Sequence, residues 1–152
     1  MNYRVQYERV IRWFERLKTI NSGKMHTTST ENYEDEVHAF FQNCYHLKDW
    51  IKNDTSITRL LDVEEYINAT VSLQLCADIC NALKHLSRNR PNRSGKAPEF
   101  GKQEVFLDLG TSGRAIRITY WVDTKDGPMD AFALATDCVA TWDCYIRAYI
   151  KA

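Results

Sequence analysis

Apolar side chains in this chain recur first at helical spacing, then at strand spacing, then at helical spacing again. Tyr3, Tyr7, Val10, Ile11, Phe14 and Leu17 return every third or fourth residue with charges between them, which predicts an amphipathic helix over 3–18. A polar run at 19–30 reads as a loop ending in the capping hydroxyls of Thr28, Ser29 and Thr30. Glu31, Glu34 and Asp35 then place negative charge in a first turn, where the helix dipole favours it. The helix they open carries Tyr33, Val37, Phe40, Phe41, Cys44, Leu47 and Ile51 on one stripe. Asn53-Asp54-Thr55-Ser56 stops it, and Asp62 with Glu65 starts a short helix ending near Ala69. Ser72 caps a further helix to about Leu86, apolar on nearly every side and therefore the most buried.

From Ser87 to Lys102 the chain turns basic and rich in Pro, Gly and Asn, the pattern of a long exposed loop. Period-two alternation follows, with Val105, Leu107 and Leu109 on one strand and Ile116, Ile118, Tyr120 and Val122 on the next. Gly110-Thr111-Ser112-Gly113 supplies the turn, so a hairpin is expected at about 103–123. Asp126-Gly127-Pro128 closes it, with Pro128 predicted at the first position of the last helix. That helix buries Phe132, Ala135, Val139, Trp142, Ile146 and Tyr149. The expected fold is mainly α: a bundle of four to five helices with one inserted antiparallel β-hairpin before the C-terminal helix, a single domain over 1–152. A two-stranded ribbon is marginal alone, so its apolar face must lie on the helices or pair with another chain.

Composition adds limits. The 152 residues are 44% hydrophobic and 26% charged, enough for one core without covalent staples. Twenty basic side chains balance twenty acidic ones, so overall charge supplies no attraction for nucleic acid or membrane and any such partner must be read locally. Charges interrupt the N-terminal apolar positions, and no stretch reaches the roughly 20 apolar residues of a membrane span. A cytoplasmic location with five reduced cysteines is expected. Cys76 and Cys80 are one turn apart while His85 points to the other side of their helix, and Cys138 and Cys144 lack zinc-ribbon spacing. The cysteines therefore read as small buried hydrophobes, with no metal and no cofactor expected.

One polar stripe interrupts the apolar helix: Gln74, Asp78, Asn81 and His85, at spacings of four, three and four. Lys84 and Arg88 flank its end, and the loop beyond carries Arg90, Arg93 and Lys96. On a functional reading His85 is an acid/base or ligand-binding group, Asp78 and Asn81 orient it, and the cations hold a phosphate. On the alternative reading the stripe is the solvent edge of a packed helix and the loop is simply solvated. No aromatic side chain is interleaved among the cations to stack on bases. His46, on the polar face of the second helix with His38, Gln42 and Asp49, would join the site if it faced His85.

The helical layout, with Asn81-Ala82-Leu83-Lys84-His85-Leu86 late on a central helix, resembles the HEPN superfamily of small helical domains found in prokaryotic toxin, antiphage and RNA-processing systems. The resemblance implies pairing of two chains through helices, bringing two polar stripes together. Ribonucleases of that family place an arginine a few residues before the histidine, and here those positions hold Asp78, Ile79 and Cys80. The expectation is thus a non-catalytic, homodimeric helical module, defence-associated, contacting RNA, a nucleotide or an acidic protein surface through the polar edge and basic loop. Its rivals are a metal-independent ribonuclease using His85 with His46, and a structural subunit docking through the hairpin edge or Trp121.

Overall fold

The computed structural model describes residues 2–25, 31–84, 92–95, 97–108 and 115–151. Helix α1 (Tyr3–Ser22) starts where the Asn2 side chain accepts the Arg4 N–H and stops at Gly23, whose φ of 100° suits a residue without Cβ. Strand β1 (Lys24–Met25) follows, then α2 (Glu31–Asn53), β2 (Thr58–Arg59), α3 (Val63–Asn68) and α4 (Val71–Lys84). Strands β3 (Glu99–Asp108), β4 (Ala115–Thr124) and β5 (Gly127–Asp130) precede α5 (Ala131–Tyr149) and β6 (Ile150–Lys151). Five helices and a hairpin ahead of the last one match the expected architecture. None of the described helices is long and apolar enough to cross a membrane.

The helices meet around Phe40, Phe41, Leu47, Ile51, Leu73, Ile79, Leu134, Trp142 and Tyr145, all fully buried. Burial of each such side chain stabilises the fold by about 1.5–3 kcal/mol before entropy is counted. Polar groups tie the helix ends. Asp54 accepts the Tyr3 N–H at 2.8 Å and both the N–H and hydroxyl of Ser56, joining the start of α1 to the end of α2. The Arg59 guanidinium donates to the carbonyls of Ile51 and Lys52 in the last turn of α2, where the Ile51 carbonyl also accepts the Asp54 N–H at 3.4 Å.

The hairpin is larger than its sequence suggests. Antiparallel β4 pairs with β3 along one side and with β1 and β5 along the other. Its inward row, Ile116, Ile118, Tyr120 and Val122, is buried, and β4 packs on α1 and α5. This is the ribbon laid on the helices. The run at 19–30 is not all loop, since α1 continues to Ser22 and Lys24–Met25 adds to the sheet.

Pro128 does not open the last helix. It lies in β5 opposite Asp123, and α5 begins after Asp130, whose carboxylate accepts the Phe132 N–H. A side-chain cap that supplies an acceptor fixes a helix start more firmly than a proline's preset φ. The predicted turn at Gly110–Gly113 lies outside the described residues. Strand β3 packs mainly on β4, its outer edge has no partner among the described residues, and its Val105 and Phe106 are exposed.

Candidate site at the anchored basic segment

Asp78 faces inward from α4 and is fully buried. A carboxylate in that position needs donors, and it takes them from the returning chain. One oxygen accepts the Arg93 N–H at 3.0 Å; the other accepts the Ser94 N–H at 2.8 Å and the Ser94 hydroxyl at 2.7 Å. The next residue, Gly95, turns the chain with φ of 88°. Asp78 is therefore a clasp that pins the far end of the basic segment onto α4, and its oxygens are occupied in doing so.

The clasp sets the Arg93 side chain against α2 and α3. Its guanidinium donates to Glu64 Oε2 and to Asn68 Oδ1, each at 2.9 Å, and lies over the Tyr45 ring at 5.9 Å. Lys48 and Lys52 approach the other Glu64 oxygen at 3.2 and 3.5 Å, and Lys48 also bonds Asp49 at 2.7 Å. Burial pushes the Glu64 carboxyl up, but Arg93 and Lys48 outweigh it and hold the group below the usual carboxylate range. Burial likewise works against the Lys48 charge, and Asp49, Tyr45 and Glu64 overcome it. Among the described residues, three cations around two carboxylates leave this corner with a net charge of +1.

Of the residues singled out in the sequence, Asp78 and Arg93 meet, through the backbone of the segment. Asn81 is half-buried on the last turns of α4, and Gln74 bonds the Asn68 carbonyl through its Nε2. Lys84 is the last residue of α4, with its side chain outside the described set. His85, Arg88, Arg90 and Lys96 also lie outside the described residues. His46 is half-buried on α2 beside the Tyr45 ring. Sequence reasoning missed Glu64, Lys48, Lys52, Tyr45 and Asn68, although the i,i+4 pair of lysines late on α2 was a usable signal.

A second concavity of about 270 Å³ opens between α2, α4 and the start of β3, walled by Ile79, Ala82, Pro98 and Phe100, with Glu34 and His38 on α2. The His38 ring sits 4.9 Å from that of Phe100, and its buried Nε2 has no hydrogen-bond partner among the described residues, with the Glu34 carboxylate 3.8 Å away. Burial lowers the His38 pKa against the opposing pull of Glu34 and Asp35, so the native imidazole resists protonation. The unfolded chain takes that proton near pH 6.5. As pH falls through that value toward the lower native pKa, the unfolded state binds more protons and stability drops. We expect the urea midpoint to fall between about pH 7.5 and about pH 5.5, and the fall to shrink in His38→Gln. An identical pH dependence in that variant would show that His38 is not the titrating group.

The structure also gathers three thiols that no spacing within one helix reveals. Cys44 on α2, Cys76 on α4 and Cys138 on α5 are all buried, and their sulfurs lie within 4.8 Å of one another. Cys76 Sγ donates to the Phe41 carbonyl at 3.5 Å and Cys138 Sγ to the Ser72 carbonyl at 3.4 Å. Burial pushes both of these thiols well above their ordinary pKa. Cys80 and Cys144, the other two cysteines of the chain, are not part of this group; Cys80 is buried and Cys144 is exposed. No protein-family model, curated protein or solved structure matches the chain.

Proposed function

We propose that the chain is a non-catalytic, HEPN-like helical module that self-associates and holds a phosphate-bearing partner, an RNA or a nucleotide, against its anchored basic segment. The Asp78 clasp carries this reading. It commits the central polar residue of the α4 stripe to hydrogen bonds from Arg93 and Ser94, which supports a structural role for that residue. It also sets Arg93 beside Lys48 and Lys52, next to a stretch of sequence that adds Lys84, Arg88, Arg90 and Lys96. A phosphate recruits the same donors that Glu64 now uses, and an arginine fork already held in place loses less entropy on binding it. The unpaired edge of β3, with Val105 and Phe106 exposed, supports self-association.

Fluorescence anisotropy with labelled single-stranded RNA at low salt tests the reading. Binding should weaken about tenfold in Lys52→Glu, whose side chain is largely solvated, and the salt dependence should flatten. Neither wild type nor His85→Ala should cleave the RNA, and light scattering at micromolar concentration should report a dimer. Cleavage by wild type that disappears in His85→Ala would replace the module with a ribonuclease. Equal RNA affinity in Lys52→Glu and wild type would remove the basic corner as the contact, and a monomer throughout would remove the self-association.

A further inference from the structure

The middle of the bundle holds a feature that phosphate binding does not use. Cys44, Cys76 and Cys138 come from three different helices, so their meeting is a property of the tertiary fold and not of local spacing. Beside them lies Trp142, whose Nε1 is fully buried with no hydrogen-bond partner at normal distance among the described residues and whose N–H favours negative charge on the Cys44 sulfur. A buried donor without an acceptor costs free energy comparable to a lost hydrogen bond, so it marks a place where negative charge would be welcome. We propose that Cys44, Cys76 and Cys138 form a three-sulfur site for one soft, divalent, thiophilic metal ion.

Distance supports this. Sulfurs at the corners of a triangle with 4.8 Å edges are about 2.8 Å from its centre, which is roughly 0.5 Å beyond an ordinary metal–thiolate bond of about 2.3 Å. The observed separations are at most that large, so small side-chain rotations close the site without moving a helix. Ligand type selects the ion: thiolates prefer soft metals, and the described residues offer no fourth His, Cys, Asp or Glu. Zinc strongly favours four ligands, so a larger and softer divalent ion, content with three sulfurs, fits better. Charge narrows it further. Each sulfur that still holds a proton loses it to solvent as its S–metal bond forms; with three thiolates bound, a divalent ion leaves one net negative charge, whereas a monovalent ion leaves two in a dry core. One charge is what a single indole N–H can help to stabilise.

Cadmium(II) is the probe. Reduced full-length protein is titrated in two ways, by adding the ion to the native chain and by refolding in its presence, because the site is closed to solvent. The sulfur-to-cadmium charge-transfer absorption should saturate at one equivalent, and X-ray absorption should report a shell of three sulfurs. Cys44→Ala should abolish the band, while the exposed Cys144→Ala should leave it intact. Failure to saturate under both loadings, a shell of oxygen or nitrogen, or a band that survives Cys44→Ala overturns the proposal. Should Cys44→Ala fail to fold, the wild-type coordination shell decides alone. RNA binding is not read in this experiment, so the two proposals stand or fall separately.

Discussion

Trp142→Ala is expected to destabilise the protein by about 4 kcal/mol and lower its melting temperature by roughly 12 °C. Trp142 is fully buried on α5 and meets the Tyr145 ring edge-on at 5.9 Å, with Cys44 of α2 at its side. Truncation removes the largest wholly buried side chain and opens a void between helices that are fixed elsewhere. The Tyr145 hydroxyl donates to the Leu61 carbonyl at 2.6 Å and the Tyr66 hydroxyl to the Thr141 carbonyl at 3.0 Å. Those ties hold α5 against the α2–α3 side and keep the void from collapsing, which puts the cost in the upper part of the range for aromatic deletions. Trp142→Phe gives the contrast. It loses volume but also removes an indole N–H with no partner at normal distance among the described residues, whose burial costs about 1 kcal/mol or more, so the two effects oppose and the net loss should stay below about 2 kcal/mol. Urea melts of both variants supply the comparison, and an alanine variant within about 1 kcal/mol of wild type would mean that the core closes over the gap.

How far the sequence carried the fold depended on whether a segment's signal was local. The α2 stripe from Tyr33 to Ile51 and the alternation from Ile116 to Val122 repeat over enough residues to fix both the element and its buried face, and every residue on those two rows is buried, at helical spacing on α2 and at every second residue on β4. Strand β1 is two residues long and exists because Lys24 and Met25 pair with Ile116 and Ala115. Strand β6 likewise exists through its pairing with Thr58 and Arg59. Pairing across the chain has no periodicity to read. At Pro128 two local signals competed, and the Asp130 cap prevailed over the proline because it satisfies an open N–H of α5.

The candidate site was half legible for a related reason. Residue type and helical spacing picked out Asp78 and Arg93, but whether a polar residue faces solvent or another segment is a tertiary fact. On one of its two sequence readings the stripe is a wet edge, yet Asp78 is fully buried because the chain returns at Arg93 and Ser94 and covers it. Glu64, Lys48 and Lys52 belong to two other helices, so nothing near Arg93 in sequence announced them. The three thiols were missed in the same way. Each sits on a different helix, and metal-site spacing rules search for neighbours along one.

Asp78→Ala should cost about 3 kcal/mol, with the damage concentrated at the far end of the basic segment. The carboxylate accepts three charge-assisted hydrogen bonds, and its removal strands the amides of Arg93 and Ser94 and the Ser94 hydroxyl. Part of that loss is recovered when the segment lifts into water, which is why the expected figure is below the sum of three buried bonds. Hydrogen exchange at the Arg93 and Ser94 amides should accelerate far more than exchange in α2 or α5. Ser94→Ala removes only one of the three donors and should cost about 1 kcal/mol, and the double variant should lose less than the two singles added together, because both disrupt the same clasp. Asp78→Asn retains one acceptor oxygen without the charge and should fall between wild type and alanine. If the proposed phosphate-binding role holds, release of Arg93 from α4 takes its guanidinium from its fixed place beside Lys48 and Lys52, and RNA affinity should drop with the exchange protection. A helix edge that merely faced water would predict a change within about 0.5 kcal/mol for Asp78→Ala and no change in exchange at residues fifteen and sixteen positions away in sequence.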